Sequence, residues 1–127
     1  MEKRELVIIG AGPAGLTAAI YGRRSGLDVL LLEKGLPGGQ INTTDEIENW
    51  PGVKHASGQE LADMFREHAE KFNPEFREAE VEGIEFKDGK KLVLTDKGIV
   101  EAQAIILATG ASFKKQGCPG EAEFTGR

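Results

Sequence analysis

The chain has 127 residues, one domain's length by the usual prior of ~100–200 residues. Hydrophobic residues make up 39% and charged ones 29%, a balance that supports a packed core and argues against disorder. The net charge of −5 argues against phosphate-tracking nucleic-acid binding, which wants a basic face. A single Cys rules out an internal disulfide framework and suits a reducing compartment, read here as the cytoplasm. Glycine is the anomaly: 17 of 127 residues, against a background of ~7%, with no collagen-like period.

At the N-terminus Lys3 and Arg4 precede Leu6-Val7-Ile8-Ile9, which imitates a secretory signal. Glu2 and Glu5 spoil its basic region, and Gly10, Gly12, Pro13 and Gly15 interrupt its apolar one, so a cleaved signal is not expected. No apolar run approaches the ~20 residues of a membrane-spanning helix, and no membrane association is expected.

Leu6–Ile9 is a short continuous apolar run ended by Gly10, the pattern of a strand buried on both faces. From Pro13 small and apolar residues predict a helix, with Pro suited to its first turn and Gly22 or Gly26 able to end it. Val29–Leu32 is a second buried run. Together they predict a βαβ unit with parallel strands and a right-handed crossover. Glu33 to Val53 is dense in Gly, Pro, Asn and Thr, but Ile41, Ile47, Trp50 and Val53 punctuate it and predict an ordered loop. Ser57 and Glu60 have capping-box spacing. The helix they open carries Leu61, Met64, Phe65, His68, Ala69 and Phe72 on one stripe and ends at Asn73-Pro74. Short strands follow at Glu75–Val81, Ile84–Phe86, Lys91–Thr95 and Gly98–Ala102, with turns at Asp88-Gly89 and Asp96 to Gly98. This meander feeds a further buried run, Ala104–Ala108; residues 111–127 read as irregular surface chain.

Gly10-Ala11-Gly12-Pro13-Ala14-Gly15 fits GxGxxG and lies between a predicted strand and a predicted helix, the context that gives the motif meaning. Gly10 allows the tight turn, Gly12 lets backbone approach a pyrophosphate, and Gly15 lets helix pack close to strand. The helix N-terminus supplies free N–H groups and partial positive charge. Glu33, about 20 residues on at the end of the second strand, can accept hydrogen bonds from a ribose diol and would repel a 2′-phosphate. The site should therefore hold FAD or NAD rather than NADP; the motif does not choose between the first two. Pro37-Gly38-Gly39-Gln40 lies beyond the same strand edge, where two glycines permit close backbone approach. Ala108-Thr109-Gly110 ends the last buried run, where a cofactor could lie across the strand end.

Gly10–Gly15, Glu33, Gly38-Gly39-Gln40, Glu48-Asn49-Trp50-Pro51-Gly52 and Ala108-Thr109-Gly110-Ala111-Ser112 occur in the order and spacing of the low-molecular-weight thioredoxin reductases. The chain resembles that family over essentially its whole length, most specifically in the loop Gly38–Gly52. The resemblance implies an α/β Rossmann-like FAD-binding fold: a parallel sheet with helices and a small antiparallel meander, incomplete, with residues 1–127 its N-terminal part. It implies FAD as cofactor, its pyrophosphate on Gly10, Ala11, Gly12, Pro13, Ala14 and Gly15 and its adenosine ribose at Glu33 beside Lys34. Gly39, Gln40, Thr44 and Asn49 would line the flavin end, with Gly38 also among the cofactor-binding residues, Val81 would contact the adenine through its backbone, and Ala108, Thr109 and Gly110 would pass close to the cofactor. It further implies NADPH as co-substrate bound outside this segment, thioredoxin or a similar small disulfide protein as partner, and a homodimer. The sequence contains one GxGxxG and no CxxC, and stops at Phe124-Thr125-Gly126-Arg127, about where a family member crosses into its NADPH domain. The NADPH domain and the last FAD-domain segment are thus expected to lie outside it, and no catalytic residue is expected within it. A ferredoxin–NADP reductase of the same fold, which lacks CxxC, and a non-catalytic Rossmann-like fragment with an exposed, self-associating sheet edge are the alternatives.

Other residues carry less. Cys118 has no second Cys and no clearly placed basic cluster. His55 and His68 lack ligand spacing, and no metal site is expected; His68 reads as a packed or boundary residue, and Met64, Phe65 and Phe72 as helix core. Trp50 reads as an anchor closing the long loop rather than a flavin stack, and Glu78, Glu80, Glu82 and Glu85 as a solvated strand face.

Overall fold

A computed structural model describes residues 1–112 and 114–125. Phe113, Gly126 and Arg127, the last two within the segment expected to lead into a further domain, lie outside the described residues. The elements are β1 (Glu2–Ile9), α1 (Pro13–Arg24), β2 (Val29–Glu33), a 3-10 turn (Gly39–Thr43), α2 (Gly58–Glu70), β3 (Glu75–Glu78), β4 (Val81–Lys87), β5 (Lys90–Thr95), β6 (Gly98–Leu107) and a short α3 (Glu121–Phe124). They build one six-stranded sheet in the order β3-β2-β1-β6-β5-β4. β3, β2, β1 and β6 run parallel, and β6, β5 and β4 form the antiparallel meander.

The predicted βαβ unit is present, with Leu6 in register with Val29 and Ile9 with Leu32. Its apolar runs face two layers, which is why they do not alternate. Leu6, Ile8, Val29 and Leu31 pack under α1 and α2 against Leu16, Ala19 and Ala69. Val7, Ile9, Leu30 and Leu32 face the other way, where the meander folds over them with Val93, Val100 and Ala102.

Two strand boundaries differ from the sequence expectation. The predicted strand Glu75–Val81 breaks at Ala79-Glu80. There the Ala79 N–H donates to the Glu33 carbonyl at 3.0 Å, while Glu80 exchanges bonds with Asp96, so the chain leaves β2 and joins β5. Val81 therefore begins β4, which absorbs the predicted Ile84–Phe86. Conversely, Gly98–Ala102 and the expected run from Ala104 are one strand, which ends at Leu107, one residue short of the expected Ala108; it is paired to β5 through Ala102 and to β1 through Leu107. Its second half is not buried as expected: Ile106 is 38% and Leu107 65% exposed. Beyond Ala102 this strand has β1 on one side and, among the described residues, no strand on the other.

The long loop is ordered, as its apolar punctuation predicts. Thr44 accepts the Gly58 N–H at 2.9 Å, Ile47 pairs with Ala56, and Trp50 lies edge-on to Phe65 with ring centroids 5.0 Å apart. Ser57 and Glu60 form the reciprocal cap of α2, with the Glu60 N–H donating to Ser57 Oγ at 3.0 Å and the Ser57 N–H donating to Glu60 Oε2 at 3.2 Å. Ser57→Ala is expected to lower the unfolding free energy by about 1 kcal/mol, read from the urea midpoint. Leu61 and Ala69 are buried and Phe65 and Phe72 half-buried, but Met64 is 49% exposed and is not core. His68 is exposed beside Phe72, their centroids 5.9 Å apart.

At the end of the sheet far from the Gly-rich turn, Arg77 grips Glu2 with two bonds of 2.7 and 2.8 Å, crossing over β2 to tie β3 to β1. Arg4 joins the same network through Glu2, Asp28 and Glu75. The Arg77 guanidinium, assisted by Arg4 and opposed by partial burial, lowers the Glu2 carboxyl from 4.5 to about 2. A carboxyl depressed on folding stabilises above its unfolded value and loses that contribution as pH falls through its folded one. Glu2→Gln is therefore expected to cost about 1 kcal/mol at pH 7, after allowance for solvent screening. The gap should shrink between about pH 4.5 and pH 2, measured as the difference in urea midpoints.

Candidate functional site

A cleft of about 480 Å³ opens at the carboxyl ends of β1, β2 and β6, where open α/β sheets place their ligands. Its floor is the turn from β1 into α1. The turn holds because its backbone groups are tied to the neighbouring strands: the Gly10 N–H donates to Leu32 at 2.8 Å, and the Ala108 N–H donates to Ile9 at 2.8 Å. Gly10 has φ +105°, and a Cβ there would stand 2.2 Å from the Ala108 carbonyl oxygen. A Cβ on Gly15 would stand 1.7 Å from the Gly10 carbonyl oxygen, so the close helix-to-strand approach predicted for that position is present. Gly12 caps α1 without a side chain. The N–H groups of the helix's first turn have no intrahelical acceptor, and they carry the positive end of the helix dipole.

Glu33 ends β2 beside this turn. Its Oε2 accepts the Ala11 N–H at 2.8 Å and its Oε1 the Gly35 N–H at 3.0 Å. Beyond it Lys34 Nζ stands 3.9 Å from Glu80 Oε1, with both side chains largely exposed. On the opposite side, the Gln40 side-chain amide donates to the Ala111 carbonyl, joining the 3-10 turn to the exit of β6.

Of the expected site residues, Gly10, Gly12, Pro13, Ala14, Glu33, Lys34, Gly39, Gln40, Val81, Ala108, Thr109 and Gly110 line this cleft. Ala11, Gly15 and Gly38 are buried behind its wall and act through packing and backbone bonds. Thr44 and Asn49 are exposed on the long loop and do not line the cleft. Sequence reasoning missed Ile9, Leu32, Ile41, Ala79, Glu80 and Ala111. Ile9 and Leu32 were findable as the last residues of the two buried runs; Glu80 depends on the chain break between β3 and β4, which leaves no local signal. A second groove, about 390 Å³ between α1 and α2, is lined mainly by aromatic and apolar side chains, with no strand end in it.

The cleft fits an adenine dinucleotide: a side-chain-free approach at Gly12, helix-start amides that have no intrahelical acceptor, and a carboxylate held at the end of the next strand. A family model described as pyridine nucleotide-disulphide oxidoreductase matches residues 4–127.

The chain belongs to the pyridine nucleotide-disulphide oxidoreductase family.

FAD is the cofactor of this family. Within it the chain is similar to the thioredoxin reductase of Bacillus subtilis, 45% identical over 125 residues that are 97% of this chain and 39% of that protein. The Lactococcus lactis thioredoxin reductase structure in its FR conformation superposes with a TM-score of 0.88 at 45% identity, covering 95% of this chain and 40% of that one. A ferredoxin-flavin thioredoxin reductase from Clostridium acetobutylicum superposes with a TM-score of 0.82 at 31% identity, covering 91% and 40%. The chain thus spans about two-fifths of the length of these relatives. Among the described residues, no helix is long and apolar enough to cross a membrane, and no cluster of His, Cys, Asp and Glu is arranged to hold a metal ion. Cys118 is exposed.

Proposed function

We propose that residues 1–127 are the flavin-cradling part of a cytoplasmic, homo-oligomeric thioredoxin-reductase-like enzyme, which passes two electrons from NADPH through FAD to the disulfide of thioredoxin or a similar small protein. The observation that carries this reading is the placement of the Gly12 and Ala14 amides and the Glu33 carboxylate together along the cleft. When bound, FAD would accept a hydride and return the electron pair to a disulfide; the protein's part is position and electrostatics. The chain's own residues would hold the pyrophosphate at the start of α1, the ribose at Glu33, the adenine near Val81 and the flavin end near Gly39 and Gln40. The NADPH site and the redox cysteines would lie on further segments of the enzyme. The one-sided edge of β6 from Ala104 to Leu107, with Ile106 and Leu107 exposed, supports this, since such an edge invites a further strand.

The test is retention of flavin. The 127-residue chain mixed with FAD and passed over a desalting column is expected to emerge yellow and to release FAD on heat denaturation. Recovery of tightly bound NAD with no flavin would overturn the assignment.

A further inference from the structure

The segments that form the cleft meet at one buried residue. Ala11 is fully buried. Its N–H donates to Glu33 Oε2 at 2.8 Å, and its carbonyl accepts the Gly38 N–H at 2.7 Å. The Gly-rich turn, the end of β2 and the start of the 3-10 turn are therefore joined through Ala11. The joint extends to the surface of the cleft: a Cβ on Gly39 would stand 3.2 Å from the Gly12 Cα, so the two glycine segments touch backbone to backbone.

We propose that Glu33 is a positioning residue for the phosphate-binding turn, a role separate from any contact it makes with a ribose. The inference rests on the cleft being an adenine-dinucleotide site. A turn built on Gly10 and Gly12 has no side chains of its own to fix the direction of its amides, and glycine has more backbone freedom to lose than any other residue. If the turn is ordered only when ligand arrives, that ordering is subtracted from affinity. The Glu33 carboxylate orders it beforehand, through a charge-assisted bond, which is about twice as strong as a neutral one. Without the carboxylate the Ala11 N–H would be a buried donor lacking an acceptor, a state that folded proteins avoid. The second role leaves room for the first. Each carboxylate oxygen accepts one backbone N–H in the structure, and a carboxylate has about four acceptor sites. Ribose hydroxyls can therefore bind without displacing Ala11.

Binding of FAD, ADP and 2′,3′-dideoxy-ADP to the 127-residue chain separates the two roles. The dideoxy ligand cannot use a ribose contact in any variant. With it, Glu33→Ala is still expected to bind about tenfold more weakly than wild type. Glu33→Gln, whose amide oxygen can accept the Ala11 N–H, should recover most of that loss. Hydrogen exchange at the Ala11 amide should accelerate in Glu33→Ala and stay protected in Glu33→Gln. Should Glu33→Ala not fold, Glu33→Asp takes its place: it keeps the charge but is one methylene too short to reach Ala11, and the same loss is expected. Equal affinity of wild type and Glu33→Ala for the dideoxy ligand would overturn the positioning role while leaving the cofactor assignment intact. Failure of wild type to bind FAD or ADP would overturn both.

Discussion

Gly15→Ala is expected to lower the unfolding free energy by roughly 3 kcal/mol or more, the upper end of what overpacking costs in a well-packed interior. The added Cβ would stand 1.7 Å from the Gly10 carbonyl oxygen and 2.8 Å from its carbon. Both are backbone atoms, so no rotamer change relieves the clash. The only relief is to lift α1 from the end of β1, which opens the packing of Leu16 and Ala19 against Ile8 and Leu31. Urea unfolding followed by circular dichroism measures the effect. A change below about 1 kcal/mol, within the ordinary range for mild substitutions, would mean that helix and strand do not approach as closely as described.

Gly12→Ala should do the opposite, sparing the fold and removing the function. Its Cβ would meet nothing closer than the Gly39 Cα at 3.8 Å, an ordinary contact, and the backbone there is extended with φ −76°. Alanine is a poorer helix cap than glycine, but it loses less backbone entropy on folding, so the net change in stability should stay within about 1 kcal/mol. The same methyl group would narrow the space between Gly12 and Gly39, both of which line the cleft, and so hold a diphosphate away from the first amides of α1. Loss of two charge-assisted bonds, each ~1.5–3 kcal/mol, corresponds to at least about a hundredfold in affinity. Titration with FAD, followed by flavin fluorescence on samples matched for thermal midpoint, would register it. Unchanged affinity would place the diphosphate somewhere other than this turn.

The contrast between the two glycines shows what was legible in the sequence. The βαβ unit could be read because both strands are continuous apolar runs and the helix between them is marked by Pro13 and the GxGxxG spacing, all local signals. The α2 cap was legible for the same reason. The break at Ala79-Glu80 was not, since it follows from hydrogen bonds to Glu33 and Asp96, 46 and 16 residues away in the chain. Nor was the continuity of β6: Gln103 looks like an interruption between two apolar runs, but an exposed polar side chain does not end a strand whose backbone stays paired to β1. Exposure of Ile106 and Leu107 also escapes composition, because burial of a strand depends on what lies above it. In the site, residues carried by strand ends were found from pattern. Thr44 and Asn49 came from family resemblance alone, and the structure leaves both on an exposed loop outside the cleft.

Whether the amides at the start of α1 hold the diphosphate of FAD is read directly from two-dimensional nitrogen–proton resonance spectra of the labelled chain during FAD titration. Gly12, Ala14 and Gly15 are expected to show the largest amide shifts, saturating at one FAD per chain, with Ala11 remaining protected from exchange. Saturable FAD binding that leaves those amides unmoved, with shifts confined to the aromatic groove between α1 and α2, would contradict this placement of the diphosphate.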